Sequence, residues 1–416
     1  MPVAVDFLVF LAGTAVSLGA SYLLVTRLER IGERIGLSEA LLGVVAALAG
    51  DAPEITAAVT ALAEHQNKVG AGVVIGSNVF NLAALLGLGA VVAGAIALHR
   101  NVVLLGGVVG VWVAAVCLVT VLGLIPVAAG LIGVLAVLVP YIVVLGAGGA
   151  RLRRFAVTRR WEAWLAVAVS EEEEELSEVI HPQHGRGRDV AVAAAMLVIV
   201  VVASVTMERA GTQLGTHFGI PEIVIGGVVL AAVTSLPNSV AAVYLAARGR
   251  GAAMLSTTLN SNALNVTAGL LVPATITGLG PPSTQSNLIA VWYLALTVIA
   301  LAFAYRDSGV RRASGALIIG AYLVFVGCLL TVAHSAAPSP WLTVAPLVVV
   351  VVCSGLGLAR RPGRLPWAHA CGHGPAGGHL LRACLCGDRP REPPRGRDRG
   401  GRGQHRLAVP GRARRR

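Results

Sequence analysis

The chain is poor in charged and aromatic residues. Asp, Glu, Lys and Arg make up 13% of its 416 residues, and Phe, Trp and Tyr make up 5%. Charged residues are about 25% of an average soluble globular domain. Hydrophobic residues account for 56% of this chain. Its length alone would suggest two or three soluble domains, but so little charge argues against that class of protein.

Cysteine is also scarce, and the six cysteines do not suggest a disulfide framework. Cys117, Cys328 and Cys353 lie inside apolar stretches, where a thiol behaves as a small hydrophobic group. We recognise no cleavable signal peptide, because no positively charged region precedes the first apolar stretch and Asp6 lies near its start.

The net charge of +12 comes from one end of the chain. From Arg360 onward there are 15 Arg and 3 acidic residues, so the rest of the chain has no net charge. Residues 362–416 are rich in Arg, Gly and Pro without a hydrophobic period, and we predict a disordered basic tail there. We expect no nucleic-acid partner, since no structured reader accompanies these charges.

Apolar stretches of about twenty residues recur along the chain, and each is long enough to cross the hydrocarbon core of a membrane. Any one of them could be a buried helix of a soluble protein, but a soluble core could not absorb the whole set. We therefore predict an all-α membrane protein with about 10–11 transmembrane helices in two inverted-topology repeats. The predicted spans are Val3–Val25, Leu37–Ala63, Val69–Leu98, Val102–Leu122, Ile125–Ala147, Val190–Met207, Ile220–Ala246, Ala252–Ile276, Leu288–Ala304, Ala313–Ala333 and Trp341–Leu358.

These spans divide the chain into five regions. We predict a first transmembrane half at 1–148, a cytoplasmic loop at 149–189, a second transmembrane half at 190–335, an extra transmembrane helix at 336–361 and the tail at 362–416.

The charges of the connecting loops predict the orientation of the chain. Odd-numbered loops hold 16 Lys and Arg residues, whereas the even-numbered loops hold only Lys68 and Arg209. The positive-inside rule places the odd loops in the cytoplasm and the N-terminus outside. We therefore expect a multi-pass protein of the cell membrane.

Two segments repeat one pattern 184 residues apart. The first begins at Gly43 and reads GVVAALAGDAPEITAAV, with GSNVFN following later; the second begins at Gly227 and reads GVVLAAVTSLPNSVAAV, with NSNALN following later. Matches of Ala and Val mean little here, but the Pro and the Ser-Asn-x-x-Asn pattern recur at unchanged spacing. We interpret this as an internal duplication. The copies begin on the second and seventh predicted spans, five membrane crossings apart. Because this number is odd, the two copies run in opposite directions across the membrane, as in many secondary transporters.

Two carboxylates lie in the middle of an otherwise apolar predicted span. Asp51 and Glu54 are flanked on both sides by Ala, Val and Leu, and an ionised carboxylate at that depth costs about 3 kcal/mol or more. A cation, a proton or a polar cavity must offset this cost. Pro53 removes one backbone hydrogen bond and frees a carbonyl near Ala49. Carbonyl and carboxylate oxygens together suit Ca²⁺ or Na⁺.

Four pairs of positions in the two repeats are one helical turn apart, so the two members of each pair share a face. The pairs are Gly50 with Glu54, Ser77 with Asn81, Thr234 with Asn238, and Ser261 with Asn265. Inverted repeats bring such faces together near the middle of the membrane. For a serine alone, a hydrogen bond to a neighbouring helix explains the residue equally well. A carboxylate is not needed for that purpose, which makes Glu54 the central candidate ligand.

These motifs resemble the α-repeats of the cation/calcium antiporter superfamily, which includes the sodium/calcium exchangers. In that family each repeat reads approximately G-T-S-x-P-E, followed later by G-S-N-x-x-N/D. The matching residues are Pro53, Glu54, Gly76, Ser77, Asn78 and Asn81 in the first repeat, and Thr234, Ser235, Pro237, Ser261, Asn262 and Asn265 in the second. The resemblance implies a ten-helix fold and exchange of Ca²⁺ against Na⁺ or H⁺ by alternating access.

The resemblance also implies a set of metal ligands in the middle of the membrane. We expect these to be Glu54, Asp51, Ser77, Asn81, Thr234, Ser235, Asn238, Ser261 and Asn265. No resident cofactor is expected, and the expected partners are the lipid bilayer and small cations.

Two positions depart from the family's pattern. Asn238 stands where the family has its other ion-binding glutamate, and Gly50-Asp51 stands where Thr-Ser is usual. Both carboxylates therefore come from the first repeat. If the Asp51 side chain turns inward, it restores the lost charge. If it does not, a single carboxylate is a poor match for Ca²⁺, and monovalent or proton-coupled transport is favoured.

Three functions follow from this sequence. The leading one is a secondary active Ca²⁺/cation antiporter; the alternatives are a monovalent cation/proton exchanger and a transport-inactive structural or regulatory homologue. An enzyme is not expected, because the predicted spans contain no His and no nucleophile–base arrangement.

Overall fold

The computed structural model describes residues 3–148, 160–177, 187–335, 345–346 and 348–350. Within these residues, helical segments occupy the positions of the ten predicted spans. The predicted eleventh span, Trp341–Leu358, lies largely outside the described residues, and the tail at 362–416 lies wholly outside them.

Residues 3–148, the described part of the first half, form seven helices and one π-helical segment. They are α1 (Val3–Arg34), α2 (Glu39–Gly50), α3 (Ala52–Ala63), α4 (Asn67–Asn81), the π-helical turns Leu82–Leu88, α5 (Gly89–Ala93), α6 (Arg100–Val121) and α7 (Val127–Ala147).

Among the described residues, a further helix, α8 (Arg160–Ser177), lies between the halves, and residues 187–335 of the second half form eight helices and two π-helical segments. They are α9 (Gly187–His217), α10 (Glu222–Val224), the π-helical turns Ile225–Leu230, α11 (Ala231–Thr234), α12 (Leu236–Ala247), α13 (Gly251–Leu264), the π-helical turns Asn265–Leu271, α14 (Val272–Thr277), α15 (Thr284–Arg306) and α16 (Arg312–His334).

Several helical stretches have the length and apolar character of membrane spans. Among the described residues, seven continuous stretches are long and apolar enough to cross a membrane, one of them running from α4 through α5, and nine spans result if each of two bent helix pairs is one span. The tenth segment, Gly251–Thr277, is helical throughout, but its Ser, Thr and Asn residues make it less apolar than the others.

Both bent pairs break at the same position of the repeat. The axis turns by 52° at Asp51, between α2 and α3, and by 49° at Ser235, between α11 and α12. A proline follows two residues after each break, Pro53 in one repeat and Pro237 in the other. Since proline has no N–H to continue the helical ladder, a bend at this point is the expected result.

Close backbone contact joins α4 of the first half to the π-helical turns Ile225–Leu230 of the second. A Cβ atom at Gly72 would lie 2.9 Å from the Gly227 nitrogen, and one at Gly76 would collide with the Gly227 backbone. Only glycine permits helices to approach this closely, as at many contacts between membrane helices. The two halves therefore pack backbone against backbone at this contact.

The predicted span Val69–Leu98 was wrong at its end. The helix stops at Ala93, because Gly94 takes a positive φ of 84°. The next residues form a strand, β1 (Ala95–Ala97), which pairs antiparallel with β2 (Gly309–Arg311). This short pairing ties the third connecting loop to the ninth and satisfies backbone groups that a helix end would leave free.

Other differences concern the loops on the odd-numbered side. The region 149–189 was predicted as a loop, but it contains α8, which Trp164 fixes by donating a hydrogen bond from Nε1 to Asn101 Oδ1 at 2.8 Å. The arginines of the first predicted loop belong to the end of α1, where Arg27 pairs with Asp189 of α9 at 2.8 Å.

Candidate cation site at the paired helix bends

Asp51 is fully buried at the bend between α2 and α3. Its Oδ1 accepts two hydrogen bonds of 2.7 Å, one from Asn238 Nδ2 and one from Ser261 Oγ. Its Oδ2 has no hydrogen-bond partner among the described residues. Both donors belong to the second repeat, so the Asp51 side chain points into the interface between the repeats.

Glu54 is also fully buried and lies one turn further along, in the first turn of α3. Its Oε1 accepts a hydrogen bond from Ser235 Oγ at 2.5 Å, and its Oε2 accepts one from Asn265 Nδ2. These donors again come from the second repeat. Each carboxylate of the first repeat is thus held by one hydroxyl and one amide of the other repeat.

The contacts at the two bends are related by the internal duplication. The offset of 184 residues maps Asp51 onto Ser235 and Glu54 onto Asn238. The Glu54–Ser235 and Asp51–Asn238 hydrogen bonds therefore join equivalent positions. Each links the Asp51 position of one repeat to the Glu54 position of the other. In both pairs the carboxylate comes from the first repeat and the neutral donor from the second.

Asparagines join α4 to α13 beside the bends. Asn78 Nδ2 donates to the Asn262 carbonyl at 3.0 Å, and Asn262 Nδ2 donates to the Asn78 carbonyl at 3.2 Å. Asn81 Nδ2 donates to Asn262 Oδ1 at 3.1 Å. Asn78 and Asn262 were not among the predicted ligands, although both are identical residues at equivalent positions of the repeat. The identity of Asn78 and Asn262 at equivalent positions is the sequence feature that could have identified them as site residues.

Seven of the nine sequence-predicted ligands come together, and we call this group the bend site. It consists of Asp51, Glu54, Asn81, Ser235, Asn238, Ser261 and Asn265.

The other two predicted ligands use their hydroxyls on backbone carbonyls. Thr234 donates to Leu230 O of its own helical segment at 2.9 Å. Ser77 is within 3.5 Å of the Ala231 carbonyl, across the interface with α11. The interpretation of Ser77 as a contact between helices therefore fits this geometry.

Three oxygen atoms of the bend site are buried and accept no hydrogen bond from the described residues. They are Asp51 Oδ2, Asn81 Oδ1 and Asn265 Oδ1. Buried polar atoms nearly always have a partner, and a hard cation such as Ca²⁺ or Na⁺ is a partner that carboxylate and amide oxygens accept. The donor set of the bend site therefore fits a cation.

Basic side chains do not neutralise these carboxylates. Ion pairs of the described residues include Arg27 and Arg30 with Asp189, and Arg209 with Glu64, and none of these pairs involves Asp51 or Glu54. The described residues also contain no cluster of three or more His, Cys, Asp or Glu side chains. A cation at the bend site would therefore be held by two carboxylates together with amide and hydroxyl oxygens.

The backbone around the first bend contributes two further features. The carbonyl predicted to be freed near Ala49 accepts a hydrogen bond from Ser21 Oγ of α1 at 3.0 Å, and the Gly50 carbonyl lies 3.4 Å from the same hydroxyl. A Cβ atom at Gly50 would lie 2.8 Å from Asn238 Oδ1. Gly50 thus makes room for the Asn238 amide, and a larger residue would not fit at this position.

The sequence matches the family described as "Sodium/calcium exchanger protein" over residues 5–169 and 189–331. Curated relatives include sodium/potassium/calcium exchanger 2 of Gallus gallus, which is 31% identical over 122 residues. Sodium/potassium/calcium exchanger 1 of Gallus gallus is 30% identical over 122 residues. Each alignment covers 27% of this chain and 19% or 18% of the relative, so the chain spans about a fifth of their length.

Two solved structures align with this chain. The H⁺/Ca²⁺ exchanger CAX aligns with a TM-score of 0.59 and 14% identity over 85% of this chain and 88% of its own. The sodium-calcium exchanger NCX_Mj aligns with a TM-score of 0.48 and 19% identity over 78% of this chain and 98% of its own. At such identities the first of these likenesses supports the arrangement of helices and nothing further.

Proposed function

Because this chain belongs to the sodium/calcium exchanger protein family, we propose that it is a secondary active antiporter that exchanges Ca²⁺ for Na⁺ or H⁺ at the bend site. The family is one of transporters rather than enzymes. In this proposal the two inverted repeats expose the bend site to each side of the membrane in turn.

The observation that carries this proposal is the uncompensated charge of the bend site. Asp51 and Glu54 are fully buried, and no ion pair of the described residues includes either of them. A buried carboxylate whose negative charge is not compensated by a positive charge is strongly unfavourable. A divalent cation would compensate both carboxylates at once, and the unpaired oxygens around them are ligands of the type that Ca²⁺ prefers.

The position of Asp51 supports Ca²⁺ as the transported ion despite the missing second-repeat glutamate. A single carboxylate would suit a monovalent ion better, but the Asp51 side chain faces Asn238 and Ser261 of the other repeat. The bend site thus offers two carboxylates, and the charge absent at Asn238 is present across the interface.

We expect Glu54→Gln to reduce Ca²⁺ transport about 30-fold or more, because loss of one charged partner of a buried ion costs about 2 kcal/mol or more. The measurement is ⁴⁵Ca²⁺ uptake into liposomes containing the purified protein, driven by an opposing Na⁺ or H⁺ gradient. Glu222→Gln is the matched control, since Glu222 is an exposed carboxylate outside the bend site. Undiminished uptake by Glu54→Gln would refute the assigned site.

The same liposomes distinguish the two alternatives. A monovalent cation/proton exchanger is favoured by the amide at Asn238, and it would move Na⁺ against H⁺ when Ca²⁺ is omitted. A transport-inactive homologue would show no flux of any ion and no shift of its unfolding temperature on addition of Ca²⁺.

A further inference from the structure

A further carboxylate, which is fully buried, lies outside the bend site. Glu208 is on α9 and has no exposed surface. Its Oε1 accepts a hydrogen bond from Thr212 Oγ1 at 3.0 Å, and its Oε2 has no hydrogen-bond partner among the described residues. An ionisable side chain within a membrane helix is costly and marks an ion or proton pathway more often than a structural contact.

The charged neighbours of Glu208 do not neutralise it. Arg209, the next residue of α9, binds Glu64 at the end of α3 at 2.7 Å. At the level of Gly211, one turn away, α1 presents Phe10 and the adjoining π-helical turns present Leu230.

The remaining charge on this half of α1 lies nearer its beginning. Asp6 is the only charged residue of α1 before Arg27, and it is itself buried. No ion pair of the described residues includes Glu208, and a proton is the simplest neutralising partner.

A pair of hydroxyls continues from Glu208 toward the centre of the molecule. Ser204 is one helical turn along α9, and its Oγ lies 2.7 Å from Ser17 Oγ of α1. Both serines are fully buried. Residues four apart on a helix are neighbours, about 5–6 Å between their Cβ atoms, so the Ser17–Ser204 pair is the next polar group inward from Glu208.

Ser21 connects this pair to the first helix bend. It lies one turn beyond Ser17 on α1, and its hydroxyl donates to the carbonyls of Ala49 and Gly50. These two residues directly precede Asp51 of the bend site. We call the series Thr212, Glu208, Ser204, Ser17 and Ser21 the hydroxyl ladder. It is the polar line along the contact between α1 and α9, from the end near Arg209 to the bend.

We propose that the hydroxyl ladder carries protons between the Arg209 end of α9 and the bend site, with Glu208 as the group that takes up or releases each proton. This inference rests on the proposed function and names H⁺ as the ion exchanged for Ca²⁺. In each transfer Glu208 releases its proton, each hydroxyl oxygen accepts one proton and passes its own to the next oxygen, and Asp51, whose Oδ2 has no hydrogen-bond partner among the described residues, takes up the last proton. Water molecules bridge the turns at which consecutive members of the ladder do not hydrogen-bond each other, and the hydroxyls rotate back before the next transfer. The direct contact between Ser17 and Ser204 leaves no room for a hydrated Na⁺ between them, which favours the proton.

Two transport measurements on one preparation separate this role from that of the bend site. The first is ⁴⁵Ca²⁺ exchange at equal Ca²⁺ and equal pH on both sides of the liposome, without Na⁺, which needs only the bend site. The second is Ca²⁺ uptake driven by an acidic lumen, again without Na⁺. We expect Glu208→Gln to reduce the second rate about tenfold or more, as for other positioned proton-transfer groups, and to leave the first unchanged.

Two further variants complete the design. Glu222→Gln, the same chemical change at an exposed carboxylate, is expected to leave both rates unchanged. The double variant Ser17→Ala with Ser204→Ala interrupts the hydroxyl ladder while leaving Glu208 in place, and we expect it to reduce only the proton-driven rate. If Glu208→Gln does not fold, this double variant tests the proposal in its place.

The outcomes distinguish the two proposals. Wild-type protein without Ca²⁺–Ca²⁺ exchange contradicts the proposed function, and the present inference falls with it. If that exchange occurs, the inference alone is overturned by full proton-driven uptake in Glu208→Gln. It is equally overturned by a wild-type protein that responds to a Na⁺ gradient and not to a pH gradient, or by a folded Glu208→Gln protein that loses both rates.

Discussion

Asp51 and Asn238 face each other across the repeat interface, with 2.7 Å between Asn238 Nδ2 and Asp51 Oδ1. Asn238→Glu alone would set a carboxylate against Asp51 and raise the number of carboxylates at the bend site to three. Since facing like charges cost several kcal/mol, we expect Ca²⁺–Ca²⁺ exchange to fall about tenfold or more. Adding Asp51→Ser removes the repulsion, and we expect the double variant to recover to within about threefold of wild type.

The double variant has one carboxylate in each repeat. Its Glu at position 238 faces a Ser at position 51, the same combination of carboxylate and hydroxyl that Glu54 and Ser235 form. The four proteins form a double-mutant cycle, measured by ⁴⁵Ca²⁺ exchange rates and accompanied by thermal unfolding to establish folding. A double variant no more active than Asn238→Glu would show that charge repulsion at this pair does not govern transport.

At the scale of the elements, the bends could be predicted and the crossings between helices could not. Pro53 and Pro237 mark the two breaks in the sequence itself, because a missing N–H is a local property. The contact between Asn78 and Asn262 depends on where α4 crosses α13, which no local pattern specifies. The same applies to Ser21, whose partner is a backbone carbonyl of another helix.

The π-helical turns and the short sheet were also beyond sequence patterns. The π-helical segments Leu82–Leu88 and Asn265–Leu271 begin beside Asn81 and at Asn265, at matching places of the two repeats. Such turns are frequent at functional sites, yet the two segments, LAALLGL and NVTAGLL, share no residue pattern that distinguishes them from α-helix. β1 and β2 are three residues each, and they form because two distant loops meet.

The contact between α4 and the second half makes a prediction about helix packing. We expect Gly76→Ala to lower the unfolding free energy by about 1–3 kcal/mol, because the added methyl group would collide with the Gly227 backbone, which has no side chain to move aside. The measurement is thermal unfolding of the purified protein in detergent, read as a lower midpoint temperature.

A matched control is available in α16, where a Cβ atom at Gly320 would meet nothing within 4 Å. Alanine is a better helix former than glycine by about 1 kcal/mol, so Gly320→Ala is expected to unfold at the same or a higher temperature. Equal midpoints for Gly76→Ala and Gly320→Ala would mean that the close contact does not stabilise the fold.

At the scale of the whole molecule, the two repeats are alike in architecture and unlike in charge. Both contain a helix broken before a proline and a second helix carrying Ser-Asn-x-x-Asn. Both carboxylates of the bend site nevertheless belong to the first repeat, and the second supplies neutral donors. The framework is thus symmetric, whereas the carboxylates are concentrated in one half and lie at the interface with the other.

The orientation of that framework in the membrane is a prediction from loop charge, and it can be tested directly. Lys68, in the first turn of α4, and Arg248, directly after α12, are both exposed and belong to predicted loops on opposite sides of the membrane. In a variant lacking the six native cysteines, we expect Lys68→Cys to react with a membrane-impermeant maleimide added to intact cells, and Arg248→Cys to react only after permeabilisation. Labelling of both residues from outside would contradict the five-crossing separation that inverts the repeats. The reverse pattern would keep that inversion but place the Arg209 end of the hydroxyl ladder in the cytoplasm, so that protons would enter the bundle from the opposite side.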